Sequence, residues 1–263
     1  MRLGPPLLYV ATAGGLALTT RAVLGHRPSL AVALGYLGGY LGLVALGSFV
    51  PRLEMWGEVL CSAPGGLGVA LTFDDGPHPV HTPAVAAILA ARKTKATFFA
   101  IGEKVARHPE VIRKLHTDGH EIGIHGHRVD RWLGFRGARA VKDDLSRAVR
   151  AVEDATGRRP TLFRPPYGVT NPRIVAAADE LDLDVIGWSV RAFDGIARTK
   201  ADAIASRVAR GLGSGAIVCM HDAPEVGDRR PAVLDALPAI LDALDARNLR
   251  ALTVSELLAS APA

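Results

Sequence analysis

The sequence predicts an α/β protein of about seven parallel strands closed as a (β/α) barrel, preceded by an N-terminal transmembrane helical hairpin. Three observations carry that expectation. Short β-rich apolar runs alternate with amphipathic stretches from residue 68 onward, the stretches between them open on helix-capping residues, and two long uncharged segments precede the first run. Strand–helix alternation sustained over about 200 residues packs as a parallel sheet covered by helices.

Eighteen uncharged residues lie between Arg2 and Arg21 and twenty-four between Arg27 and Arg52, each near the roughly 20 residues that cross a bilayer as a helix. Residues 1–52 therefore read as a membrane anchor of two helices. Gly35, Gly38, Gly39 and Gly42 are spaced so that the second span could approach the first around Gly14 and Gly15. Arg21, His26 and Arg27 charge the connecting loop, which the positive-inside tendency places in the cytoplasm, leaving the remainder of the chain extracytoplasmic at the cell membrane. A cleaved leader ending near Ala45-Leu46-Gly47 is the competing reading, and two spans disfavour it. Residues 53–67 read as a Gly/Pro-containing linker and 68–263 as one soluble domain.

The candidate strands are GVALTF, ATFFAI, HEIGI, TLF, DVIGWSV, GAIVCM and RALTV. Thr82-Pro83 and Asn171-Pro172 each join a side-chain cap to a proline suited to the first helical turn. Residues 138–156 set Val141, Leu145, Val149 and Val152 on one helical face. The four arginines of residues 1–52 are unmatched by acids, which leaves 27 basic against 26 acidic residues in the rest of the chain. The basic character thus belongs to the anchor's flanks and gives no concentrated face for nucleic acid. Cys61 and Cys219, the only cysteines, form no metal-type pair or disulfide framework and read as structural thiols.

Barrels of this kind gather their chemistry at the C-terminal ends of the strands. Those ends supply Asp74 and Asp75, then His125 and His127, then Arg164 with Pro165, Pro166 and Tyr167, then Asp194, then His221 and Asp222. Carboxylates, imidazoles and one guanidinium converge on one rim.

In this order LTFDDGPHP (71–79), GHEIGIHGH (119–127), FRPPYG (163–168), WSVRAFD (188–194) and IVCMHD (217–222) resemble the motifs of the NodB-homology polysaccharide deacetylases, carbohydrate esterase family four. The resemblance covers about residues 68–258 and implies a distorted (β/α) barrel that removes N-acetyl or O-acetyl groups from glycans with a divalent metal, zinc foremost. It implies that Asp75 and His125 hold the ion while Asp74 takes a proton from the attacking water. Arg164 would hold the Asp74 carboxylate, the main-chain amide of Tyr167 would help bind the oxyanion, and His221 would protonate the leaving nitrogen, with Asp194 beside it. Trp188 and Met220 could line a slot for the acetyl methyl or belong to the core.

Two positions depart from the family pattern. The second metal histidine is expected four residues after His125, where Val129 stands. His127 could replace it only if Gly126 gives the loop a non-helical path; Asp130 is another substitute, and a water could fill the gap. In the fourth motif Arg191 stands where an aspartate is expected and Gly195 where a tryptophan is expected, and an arginine near His221 would depress its pKa. Two functions are therefore weighed: a membrane-anchored, metal-dependent deacetylase of an acetylated cell-envelope or extracellular glycan, and a catalytically degenerate glycan-binding protein with an incomplete metal site.

Overall fold

The computed structural model of the protein describes residues 4–128, 130, 132–195 and 199–262. Two helices come first, α1 (Gly4–Val23) and α2 (Leu30–Phe49). Among the described residues α2 is the one helix long and apolar enough to cross a membrane. α1 carries Pro5, Pro6, three threonines and Arg21, so the structure supports one candidate span rather than the expected pair. The two helices do touch, through a different face from the one expected. The Tyr36 ring lies against Gly14 and Gly15 and its hydroxyl donates to the Ala11 carbonyl, while the space beside Gly35, Gly38, Gly39 and Gly42 is open. Glycines on α1 accommodate the ring; on α2 those four meet nothing, and Gly47 packs against Met55 instead. The end of α2 is tied to the rest of the chain, with Thr170 N donating to Ser48 O (3.0 Å), Trp56 Nε1 to Ser48 Oγ (3.2 Å) and Arg52 to Ser189 O (2.6 Å).

The following elements are β1 (Val69–Asp74), α3 (His81–Ala91), β2 (Thr97–Ala100), α4 (Gly102–Arg107), α5 (Pro109–Thr117), β3 (Glu121–Ile124), α6 (Ala138–Thr156), β4 (Leu162–Phe163), α7 (Pro172–Asp179), β5 (Asp184–Val185), β6 (Val190–Arg191), α8 (Ala201–Gly211), β7 (Ala216–His221), α9 (Val233–Asp245), β8 (Ala251–Leu252) and α10 (Val254–Ala259). The sheet runs β5-β4-β3-β2-β1-β7-β6 with every pair parallel, and β8 pairs with the start of β1. As the alternation demands, it is a curled half-barrel of parallel strands wrapped by helices.

Its distortion has one source. The run DVIGWSV, expected as one strand, forms two: β5 against β4 at one end of the sheet and β6 against β7 at the other. Residues 186–189 span the distance between them. The wedge that opens is filled by the stretch expected as a linker, where Leu60 N donates to Val185 O (2.9 Å), Gly187 N to Leu60 O (3.0 Å) and Ala63 N to Gly215 O (2.8 Å). Val59, Cys61 and Ala63 are buried there, so part of residues 53–67 is barrel wall.

Successive strand residues face opposite ways. Leu71 and Phe73 of β1, Phe98 of β2, Phe163 of β4 and Met220 of β7 pack outward beneath the helices, whereas Ala70, Phe99, Leu162, Ile186 and Ile217 fill the barrel. Gly123 of β3 is required here, because a Cβ would stand 2.7 Å from the Phe99 ring. Met220 is thus core, which removes it from the acetyl slot.

Candidate active site

The pleat that points Ala70 inward also points Thr72 and Asp74 inward, and in β7 it does the same for Ile217, Cys219 and His221. Registration pairs Asp74 with His221 across neighbouring strands. Asp75 follows at the strand end with φ of 73°, a left-handed turn that carries its carboxylate over the barrel mouth. His125 continues the inward phase of β3, and Arg164 that of β4. These side chains border or underlie an open cleft of about 470 Å³ whose walls include Tyr167, Trp188, Arg191, Phe193 and Glu225.

Arg164 is fully buried and spends its guanidinium on four acceptors: Asp74 Oδ1 (2.8 Å), Thr72 Oγ1 (2.5 Å), Gly187 O (2.9 Å) and Ile186 O (3.4 Å), with the Phe99 ring 4.1 Å beneath it. A buried ion pair is sustained only when its remaining polar atoms are bonded, as they are here. Burial opposes the Asp74 charge, but Arg164, with His125 and His221, outweighs it and holds the carboxyl below the usual carboxylate range. The second oxygen of Asp74 accepts from the Cys219 thiol at 3.4 Å. Burial and the Asp74 charge push that thiol well up, so it stays a neutral donor.

Across the mouth, Asp194 takes both the His221 ring, Nδ1 to Oδ1 at 2.9 Å, and the His221 main-chain N–H at 2.8 Å. Burial alone would lower the His221 pKa; Asp194, Asp74 and Asp75 together outweigh it and push it up to about 9. The depression expected from Arg191 does not occur. Its guanidinium lies over the rings of Trp188 (5.4 Å) and Phe193 (4.9 Å) instead, and the carboxylates dominate the field at His221.

The metal side is thinner. Asp75 Oδ1 and His125 Nε2 are 3.6 Å apart, close to the separation of about 3–3.5 Å that two ligands near 2.1 Å from one ion would have. His125 Nδ1 lies 2.8 Å from Arg164 O; donating there, it fixes the tautomer that leaves Nε2 as a lone pair facing Asp75. Burial raises the Asp75 pKa and the neighbouring imidazoles only partly offset it, the profile of a carboxylate that a cation would stabilise. These two donors fit a divalent ion.

His127 does not join them. Gly126, at φ of 83°, does give the loop a non-helical path. That path delivers the His127 main-chain N–H to Asp144 Oδ2 (2.8 Å) and seats its ring beside Gly102 and Ala148, with Nδ1 buried and unpaired. Asp130 is engaged by Trp132 N and Arg136. Val129 lies outside the described residues. Tyr167 lines the cleft in a left-handed turn, φ 58°, its hydroxyl donating to Glu225 (2.6 Å).

Sequence reasoning overlooked Thr72 and the bond from Cys219 to Asp74, although both stand two residues before an inward-facing site residue and the pleat alone would have found them. It also passed over Lys104, whose ammonium donates to Asp75 O (2.7 Å) and Pro224 O (2.8 Å) and so ties the end of β1 to the cleft's outer loop. No local pattern marks that contact. Asp222, buried behind the Gly76 turn, accepts from Thr82; burial raises its pKa to about 7.

The polysaccharide deacetylase family matches residues 63–186. The chain is similar to a peptidoglycan-N-acetylglucosamine deacetylase of Bacillus cereus, 34% identical over 79% of this chain and 96% of that protein. Among solved structures it is similar to a CE4 family pseudoenzyme from Bacillus anthracis, at TM-score 0.70 and 25% identity over 80% of this chain and 73% of the other. It is also similar to a family 4 acetyl xylan esterase from Clostridium thermocellum in complex with cobalt, at TM-score 0.67 and 30% identity over 74% and 92%. A Listeria monocytogenes peptidoglycan-N-acetylglucosamine deacetylase is 38% identical over 59% of this chain, and the chain spans 32% of its length.

Proposed function

This chain belongs to the polysaccharide deacetylase family, carbohydrate esterase family four, and on that premise we propose that it hydrolyses the acetamido groups of an N-acetylglucosamine-containing envelope glycan. The observation that carries the reading is the opposition, across one cleft, of Asp74 clamped by the buried Arg164 and His221 clamped by Asp194. A carboxyl kept ionised can accept a proton, and an imidazole kept protonated can donate one.

Asp74 accepts a proton from the water that adds to the acetyl carbonyl carbon. His221 delivers one to the nitrogen as the C–N bond breaks, yielding acetate and a free amine. Asp75 and His125 would hold a divalent cation. When bound, such an ion lowers the pKa of water and polarises a carbonyl. Trp188 walls the cleft where the acetyl group would lie, and the main-chain amide of Tyr167 is the proposed oxyanion donor. The apolar α2 serves as a membrane anchor, with the positive loop at Arg21, His26 and Arg27 on the cytoplasmic side and the barrel outside.

The test is acetate release from N-acetylglucosamine oligomers and from peptidoglycan by the full chain, supplied in turn with zinc, cobalt and nickel. Release that Asp74→Asn abolishes supports the reading; release no greater than a buffer blank with every metal overturns it. A second reading is favoured by the thin metal side: among the described residues only Asp75 and His125 contribute donors there, and a solved relative is a pseudoenzyme. Under it the protein binds glycan without turnover and retains no tightly held metal by elemental analysis.

A further inference from the structure

Arg191 is a wall of the cleft that the hydrolytic roles leave unexplained. It stands on β6, its Cα in register with Cys219, one step from the row of Asp74 and His221. Among the described residues it has no carboxylate within ion-pair distance and no acceptor for its guanidinium N–H groups. The group is nonetheless held in place. The Trp188 and Phe193 rings lie 5.4 and 4.9 Å from it, and Arg207 braces Phe193 at 5.3 Å. Arg229, on the outer loop, borders the same cleft and donates to Gly195 O (3.4 Å). A guanidinium stacked on aromatic faces keeps its donor edge free for a planar, bidentate acceptor.

We propose that Arg191 selects an anionic glycan, with a carboxylate or phosphate on the N-acetylated sugar or its neighbour docking on this guanidinium. The proposal deepens the glycan reading of the cleft and needs no turnover there. Asp74, Asp75, Asp194 and Glu225 make much of the cleft acidic, and outside the groups assigned to the hydrolytic step the Arg191–Arg229 wall is where a substrate anion meets positive charge. Orientation follows, because the anion at that wall fixes which acetamido group can face Asp74.

The experiment measures binding by the full-length Asp74→Asn chain in detergent, using calorimetry and three probes: a neutral N-acetylglucosamine trimer, an oligomer alternating N-acetylglucosamine with glucuronic acid, and N-acetylglucosamine 6-phosphate. Tighter binding of at least one anionic probe is expected. Adding Arg191→Gln should weaken it by a factor about 10 greater than any loss for the neutral trimer, Arg191→Lys should restore part of it, and 0.5 M salt should shrink the difference. The carboxylate and phosphate arms decide which anion is read. Equal affinities for all three probes, or the same loss for neutral and anionic probes in Arg191→Gln, overturns the proposal. If the Asp74-intact chain releases no acetate while the anionic preference persists, the hydrolase reading fails and this one stands.

Discussion

The two flanks of the cleft are built differently. On the β1–β7 flank, Asp74 and His221 sit at paired inward positions of neighbouring strands, and each is clamped at 2.8–2.9 Å, Asp74 by Arg164 just beyond β4 and His221 by Asp194 in the turn after β6. On the β3 flank, one imidazole in strand phase meets Asp75, and the chain beyond Gly126 turns to satisfy Asp144 instead. Proton-transfer geometry is therefore specified by the sheet, whereas the metal's outer ligands depend on a loop. A sheet position moves only if its strand slips register, and slipping would turn the buried face outward; a loop position moves whenever a different hydrogen-bond partner is available.

The largest expected effect breaks the well-built flank. Asp74→Asn should lower acetate release by about 10²–10⁴-fold while leaving circular dichroism unchanged. Arg164→Ala should cost about 3–5 kcal/mol of unfolding free energy, because it leaves the Asp74 charge buried without a partner, measured by chemical denaturation of the full chain. A comparable loss from His125→Ala would erase the distinction between the flanks.

Protonation provides a subtler test. In cation-free protein, histidine NMR should place the His221 titration at about 9, with Asp194→Asn lowering it. The folded value lies above the ordinary one of about 6.5, so the stability from this pair is complete below about pH 6.5 and lost as pH rises through 9. Loading a divalent cation should lower the His221 value by like-charge repulsion. The smallest effect sharpens the contrast on the thin flank: His127→Ala should change cation affinity by less than about 2-fold, whereas His125→Ala should reduce it by more than the roughly 10-fold typical of an outer-shell partner.

Much of the site was legible because its residues follow strand runs whose inward phase repeats every second position. Asp74, His125, Arg164 and His221 all obey it. His127 misled because an imidazole three residues past a strand end has no pleat to direct it. Arg191 misled for another reason: its charge was weighed by sequence position, whereas two aromatic rings decide where the guanidinium rests. Met220 sits in phase with the outer face and could have been assigned to the core from alternation alone.

By itself the sequence determined the parallel strand–helix alternation, the rim that carries the acids and imidazoles, and the apolar stretch of α2, since each follows from local periodicity or composition. Tertiary structure decided that one run would split between the two ends of the sheet, that residues 60–63 would fill the resulting wedge, that Tyr36 rather than the glycine face of α2 would meet α1, and that the loop after β3 would turn His127 away. Those outcomes depend on which distant donors and acceptors remain unpaired once the strands have formed, and a buried polar group is too costly to leave without one.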